Sequence, residues 1–180
     1  HLMKFKIFRF KKIKSTNNTA IRIIKNSNVK FGMIVAQTQY GGRGQYGRKW
    51  ISYKDNLLVS FFYSLKDLKL SINQLTKINC LIVKKLISKY YIKKILYKKP
   101  NDLLVNQKKV CGILQETIEK FNEKYLIVGI GINLNKSPNI KNYPTTNLGK
   151  LLNKKISKKK IEIKLKNIFQ IELSKLYRFN

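Results

Sequence analysis

The sequence predicts an α+β fold built on a mainly antiparallel, mixed sheet with covering helices. Three observations lead there. Strand-like and helix-like stretches are interspersed without strict alternation, and four strand-like segments follow one another closely between residues 95 and 135. The glycine-rich stretch at residues 41–50 runs from one strand-like segment into another. A doubly wound dinucleotide fold instead needs a helix opening right after its glycines.

KFKIFRFKKI at 4–13 alternates as a half-buried strand, and Ser15, Thr16 and Asn17 supply capping side chains for a short helix to about Lys25. GMIVAQ at 32–37 is apolar enough for an inner strand, and NLLVSFFYS at 56–64 is another, rich in β-formers. Ser71 caps a helix running to about Tyr90, with Ile72, Leu75, Ile78, Ile82 and Leu86 on its apolar face. A strand near ILYKK at 95–99, DLLVN at 102–106, a turn at 106–109, and strands at 109–119 and 123–135 then read as an antiparallel meander. The tail is helical from about Thr146, and Ser157 caps a last helix reaching about Tyr177. The lysine run KKISKKK at 154–160 reads as a solvated helix entry.

Composition narrows the function. A chain of 180 residues with 43% hydrophobic content fits one domain with a real core. Its apolar runs are about a strand long, and the N-terminal residues alternate apolar with basic ones, so neither a membrane span nor a signal peptide is expected and the expected location is cytoplasmic. His1 is the only histidine and is assigned no role, which removes the usual general base and metal ligand. Cys80 and Cys111 are too few for a disulfide framework or a zinc site. The formal charge of +31 is nearly all lysine, spread from end to end. It reads as compositional bias rather than as a clustered phosphate-reading surface.

Three segments carry chemistry. In GGRGQYGRKW, Gly41, Gly42, Gly44 and Gly47 let main-chain N–H groups approach a ligand, Arg43 and Arg48 offer fixed positive charge, and Trp50 offers a flat face. A loop for phosphate or carboxylate and a basic hairpin tip are both open readings of that stretch alone. In KKPNDLLVNQKKVCGILQE at 98–116, lysines precede Asn101 and Asp102, and Cys111 reads as a buried core residue because no histidine can activate it. In LIVGIGINLN at 126–135, Gly129 and Gly131 mark a close approach to a ligand or another strand, with Asn133 beside them.

Together with Ser15-Thr16-Asn17, these segments resemble the catalytic domain of biotin protein ligases, over some 120 residues. The resemblance implies a fold like that of class II aminoacyl-tRNA synthetases and a two-step ATP-dependent reaction. Biotin is first joined to AMP and then passed to a lysine of a biotin carboxyl carrier protein. It implies that Ser15, Thr16, Asn17 and Gln39 hold biotin, that Gly42 and Arg43 close over it, and that Gly112 lines its pocket. Arg43, Gly44, Arg48, Trp50, Lys98, Asn101 and Asn133 fall with the ATP site, Trp50 against adenine and Lys98 near the reacting carboxylate and α-phosphate. Arg43, Arg48, Lys98 and Asp102 are the implied catalytic set, with Asp102 orienting the amine or a magnesium ion carried by ATP; no metal ligands are assigned.

Departures from the family pattern add expectations. Gln45 and Tyr46 stand where many relatives carry arginines, so the loop is expected to retain the adenylate less tightly and to label bystander lysines. Lys99 replaces a usual tryptophan. Residues 1–180 are expected to form one catalytic domain, with no winged-helix domain before Ser15, hence no specific DNA partner, and with the C-terminal β-barrel of many relatives absent or truncated. The sequence does not choose between a monomer and a homodimer. The weighed alternatives are a lipoate or octanoate ligase or transferase of the same fold, whose cysteine or histidine motifs are not found, and a basic non-catalytic nucleic-acid-binding module.

Overall fold

A computed structural model describes residues 2–178; His1 lies outside them. The elements run β1 (Lys6–Ile13), α1 (Thr16–Asn26), β2 (Phe31–Gln39), β3 (Leu57–Ser64), α2 (Ile72–Ser88), β4 (Leu96–Lys98), β5 (Asp102–Val105), β6 (Lys108–Lys120), β7 (Glu123–Ile132), α3 (Leu148–Leu152) and α4 (Lys158–Arg178). Among the described residues, seven strands form one sheet in the order β1-β2-β3-β7-β6-β5-β4. Every neighbouring pair is antiparallel except β1 and β2, which run parallel because α1 carries the chain back between them. The expected meander is β4 to β7. Its two longer hairpins turn on two residues each, Asn106-Gln107 and Phe121-Asn122, all four at positive φ.

Alternation along the strands assigns two faces. Leu57, Val59, Phe61 and Tyr63 of β3, with Leu126, Val128, Ile130 and Ile132 of β7, enter the main core beneath α2 and α4, where Phe61 stacks on Phe169 with ring centroids 4.2 Å apart. The cap predicted at Ser71 is present and is part of a capping box, with Ser71 accepting from the Gln74 N–H and the Gln74 side chain returning to the Ser71 N–H. Ile72 departs from the expected apolar stripe. It is the first residue of the helix and is exposed, and Asn79 and Cys80 are buried further along.

The opposite face is covered only in part. Ala20 and Ile24 of α1 pack on Ile34, Phe62, Tyr125 and Ile127. Beyond them Leu58, Gly112, Leu114, Gly129 and Gly131 face an open cavity. The predicted helical tail is broken: α3 is a single short helix capped by Asn147, and Asn153 in the left-handed region stops it before Ser157 caps α4. Among the described residues no helix is long and apolar enough to cross a membrane.

Candidate functional site

The uncovered half of the sheet forms the floor of a cavity of about 680 Å³. Register explains its depth. Gly112 pairs with Gly131, and Gly131 with Leu58; one row along, Leu114 pairs with Gly129 and Gly129 with Ser60. Three glycines therefore share the centre of one sheet face, where side chains would otherwise stand. Trp50 uses the room. A Cβ on Gly131 would lie 2.4 Å from its indole, and one on Gly112 would lie 2.6 Å away. A Cβ on Gly129 would fall 2.4 Å from the Asn17 amide oxygen.

One end of the cavity is lined by hydroxyl and amide groups. Ser15 caps α1 by accepting the Asn18 N–H at 3.0 Å, which leaves its hydroxyl proton to donate. The Thr16 N–H donates to the Gln39 Oε1 at 2.7 Å, while the Gln39 Nε2 donates to Ser52 at 3.0 Å, so the Gln39 amide orientation is determined. The Ser60 hydroxyl lies 2.7 Å from that of Thr16 and 2.5 Å from Asn17 Oδ1. These groups lie at the start of α1, where the helix N-terminus adds partial positive charge.

The other end is cationic, and its innermost charge is Lys109. The ammonium of Lys109 is 3.0 Å from Asp102 Oδ1 and lies over both aromatic walls, 5.2 Å from the Trp50 ring and 5.3 Å from that of Tyr143. Tyr143 donates to the other oxygen of Asp102, and burial, then that carboxylate, pushes its phenol up to about 12. Lys98 stands further out, exposed, 5.7 Å over Tyr143, and Arg48 is exposed on the glycine loop. A β-bulge aims Lys109. The register between β5 and β6 slips by one residue at Val110, so Val110 and Cys111 both enter the core and Lys109 shares the cavity face with Gly112.

The structure brings the predicted residues Ser15, Thr16, Asn17, Gln39, Arg43, Gly44, Arg48, Trp50, Lys98, Asn101, Asp102, Gly112 and Asn133 into the wall of this one cavity. Gly42 stands apart, packed on the Trp50 carbonyl and the Gln39 amide. Several members are already engaged. Asn101 donates to the Ile113 carbonyl, and Asn133 donates to that of Thr146 and accepts from the Asn56 amide at 3.4 Å. Arg43 is held by Glu116, and Trp50 lies flat on the glycine floor. Sequence reasoning missed Lys109, Tyr143 and Glu116. Cys111 is buried as expected, and burial raises its thiol well above the usual range, so it is no nucleophile. Among the described residues no group of three His, Cys, Asp or Glu side chains could cage a metal. Asp102, the carboxylate in the cavity wall, is neutralised by Lys109.

A family profile, the biotin/lipoate A/B protein ligase family, matches residues 9–133. The bifunctional ligase/repressor BirA of Bacillus subtilis is 34% identical over 129 residues, covering 71% of this chain and 40% of its own length. The chain thus spans well under half of that curated relative. Biotin protein ligase from Aquifex aeolicus, solved in complex with biotin and ATP, superposes with a TM-score of 0.80 at 30% identity, covering 96% of this chain and 72% of the other. P. falciparum LipL1 in complex with lipoate superposes at 0.58 with 16% identity, over 97% of this chain and 63% of the other, a likeness of fold alone.

Proposed function

The chain belongs to the biotin/lipoate A/B protein ligase family, and from that premise we propose that it is the catalytic domain of an ATP-dependent biotin protein ligase. Its substrates would be biotin and ATP and its acceptor a lysine on a biotin carboxyl carrier protein. The observation that carries this reading is a single cavity with one end lined by hydroxyl and amide groups and a cationic other end, joined by a floor of glycine and indole.

The two ends suit the two halves of the reaction. A ureido ring has donors and acceptors to take the free hydroxyl proton of Ser15 and to exchange with the hydrogen bonds that Thr16, Asn17 and Gln39 make within the protein, whereas a plain acyl chain offers them nothing in return. At the other end, a carboxylate oxygen must attack the α-phosphorus while the bond to pyrophosphate breaks. Both reactants are anions, so the barrier is largely electrostatic. Lys109, with Lys98 and Arg48 at the rim, offsets that repulsion with fixed positive charge. In the second step the carrier's amine attacks the acyl carbon, AMP departs with the bonding pair, and the amine loses its proton. We assign Asp102 to orient that amine. No histidine or enzyme nucleophile is required, because the mixed anhydride is already activated.

Magnesium enters this reading only on the phosphates of ATP. The carboxylate at hand is paired with Lys109, which does not suit a resident cation site, and no step is assigned to one.

The test is pyrophosphate release from biotin and ATP before any carrier is added. Turnover with biotin, resisted by competing lipoate, is the expected result, and silence with biotin would sink the assignment. Lys109→Met is expected to lower kcat by about a hundredfold. An unchanged kcat would remove Lys109 from the chemistry.

A further inference from the structure

Residues 43–49 roof the cavity with little to hold them there. At the base, the Gly41 N–H donates to the Lys14 carbonyl at 2.8 Å and the Trp50 N–H to that of Gly42 at 2.9 Å. The tip closes only on itself, Gly44 N–H to Arg48 carbonyl at 2.8 Å. Among the described residues, the one side chain of 43–49 that makes a hydrogen bond or ion pair to the body of the protein is Arg43.

Its partner is Glu116, on β6 and outside the cavity wall. Arg43 Nη2 donates to Glu116 Oε1 at 2.7 Å and Nη1 to Oε2 at 3.2 Å, a two-pronged grip. Nη2 also donates to Asn18 Oδ1 at 2.7 Å, and Asn17 steadies the carboxylate with a donation to Oε1 at 2.9 Å. Arg43 Nε is buried without a hydrogen-bond partner, while the residue lines the cavity. The chain has eight acidic residues against 39 lysines and arginines, and one of the eight is placed here.

We propose that Glu116 is a positioning residue: by gripping Arg43 against α1 and β6 it fastens residues 43–49 over the cavity and so governs how tightly the small substrate is held, leaving the chemical step alone. The substrate half of this rests on the biotin-ligase reading; the fastening does not. Gln at 116 keeps the shape and removes the charge, whereas Asp keeps the charge on a shorter stem.

The experiment has two arms. In ligand-free protein, trypsin nicking after Arg48 or Lys49 is expected to accelerate about fivefold in Glu116→Gln, less in Glu116→Asp, and by a smaller factor in Asn18→Ala, which removes one of the contacts of Arg43. Melting temperatures serve to show that each variant is folded. With biotin and ATP, the KM for biotin is expected to rise about tenfold in Glu116→Gln while kcat changes less than twofold. Wild-type nicking rates in a folded Glu116→Gln, or in Asn18→Ala should Glu116→Gln fail to fold, would overturn the fastening. A fall in kcat at constant KM would overturn its link to substrate affinity. The nicking arm decides the fastening whether or not the protein turns over biotin.

Discussion

Three glycines and one indole set the depth of the cavity. Gly112, Gly129 and Gly131 sit in the paired centre of the sheet, where the backbone cannot retreat from an added methyl. Gly131→Ala places a carbon 2.4 Å from the Trp50 ring, so the indole must leave the floor. The expected cost is about 1–3 kcal/mol in urea unfolding, with loss of biotin-dependent pyrophosphate release. Wild-type stability and activity together would mean that the ring does not need that floor. Arg43 shows what single residues conceal. Its charge was legible as an anion-binding feature, but the anion it meets in the fold is a carboxylate 73 residues away, and nothing local in the chain announces that pairing.

At the scale of elements, the strands and helices were legible because their periodicities are strong. NLLVSFFYS became β3, and Ser71 with Gln74 opened α2. The five-residue α3 and the irregular strap were not. Lys109 escaped notice for a specific reason. Strict alternation back from Gly112 sends it into the core, and only the extra residue at Val110 turns it to the cavity. The strap from 133 to 147 has no periodicity to read, yet it is anchored firmly. Asn56 Oδ1 accepts the N–H groups of Leu134, Asn135 and Lys136 at 3.1–3.2 Å, and the Lys109 backbone pairs with Pro144 and Thr146. Asn56→Ala orphans those donors at the root of the strap. It is expected to destabilise the protein by about 3 kcal/mol in denaturant, and a loss below 0.5 kcal/mol, the scale of an ordinary surface substitution, would show that water replaces the amide without cost.

Across the whole molecule the division of labour is between faces. One face of the sheet is buried under α2 and α4 and supplies the core; the other is half covered by α1 and half left to the cavity. The surplus of +31 surrounds both. A carrier domain with an acidic surface would be drawn in by that field. Its association rate is expected to fall about tenfold between low and physiological salt, as the screening length shortens to about 8 Å. A rate flat across that range would leave the lysines without this role. The fold-level likeness to both biotin-bound and lipoate-bound structures fits this arrangement, since the sheet and its covering helices carry no information about the acyl group. Under the proposed function, that information is assigned to a few side chains at the polar end.

The chain contains one tryptophan, and it lies on the cavity floor beneath an ammonium group. Excited near 295 nm, the protein would emit from that residue alone, so its spectrum belongs wholly to the binding site, and occupancy could be followed optically without attaching any dye.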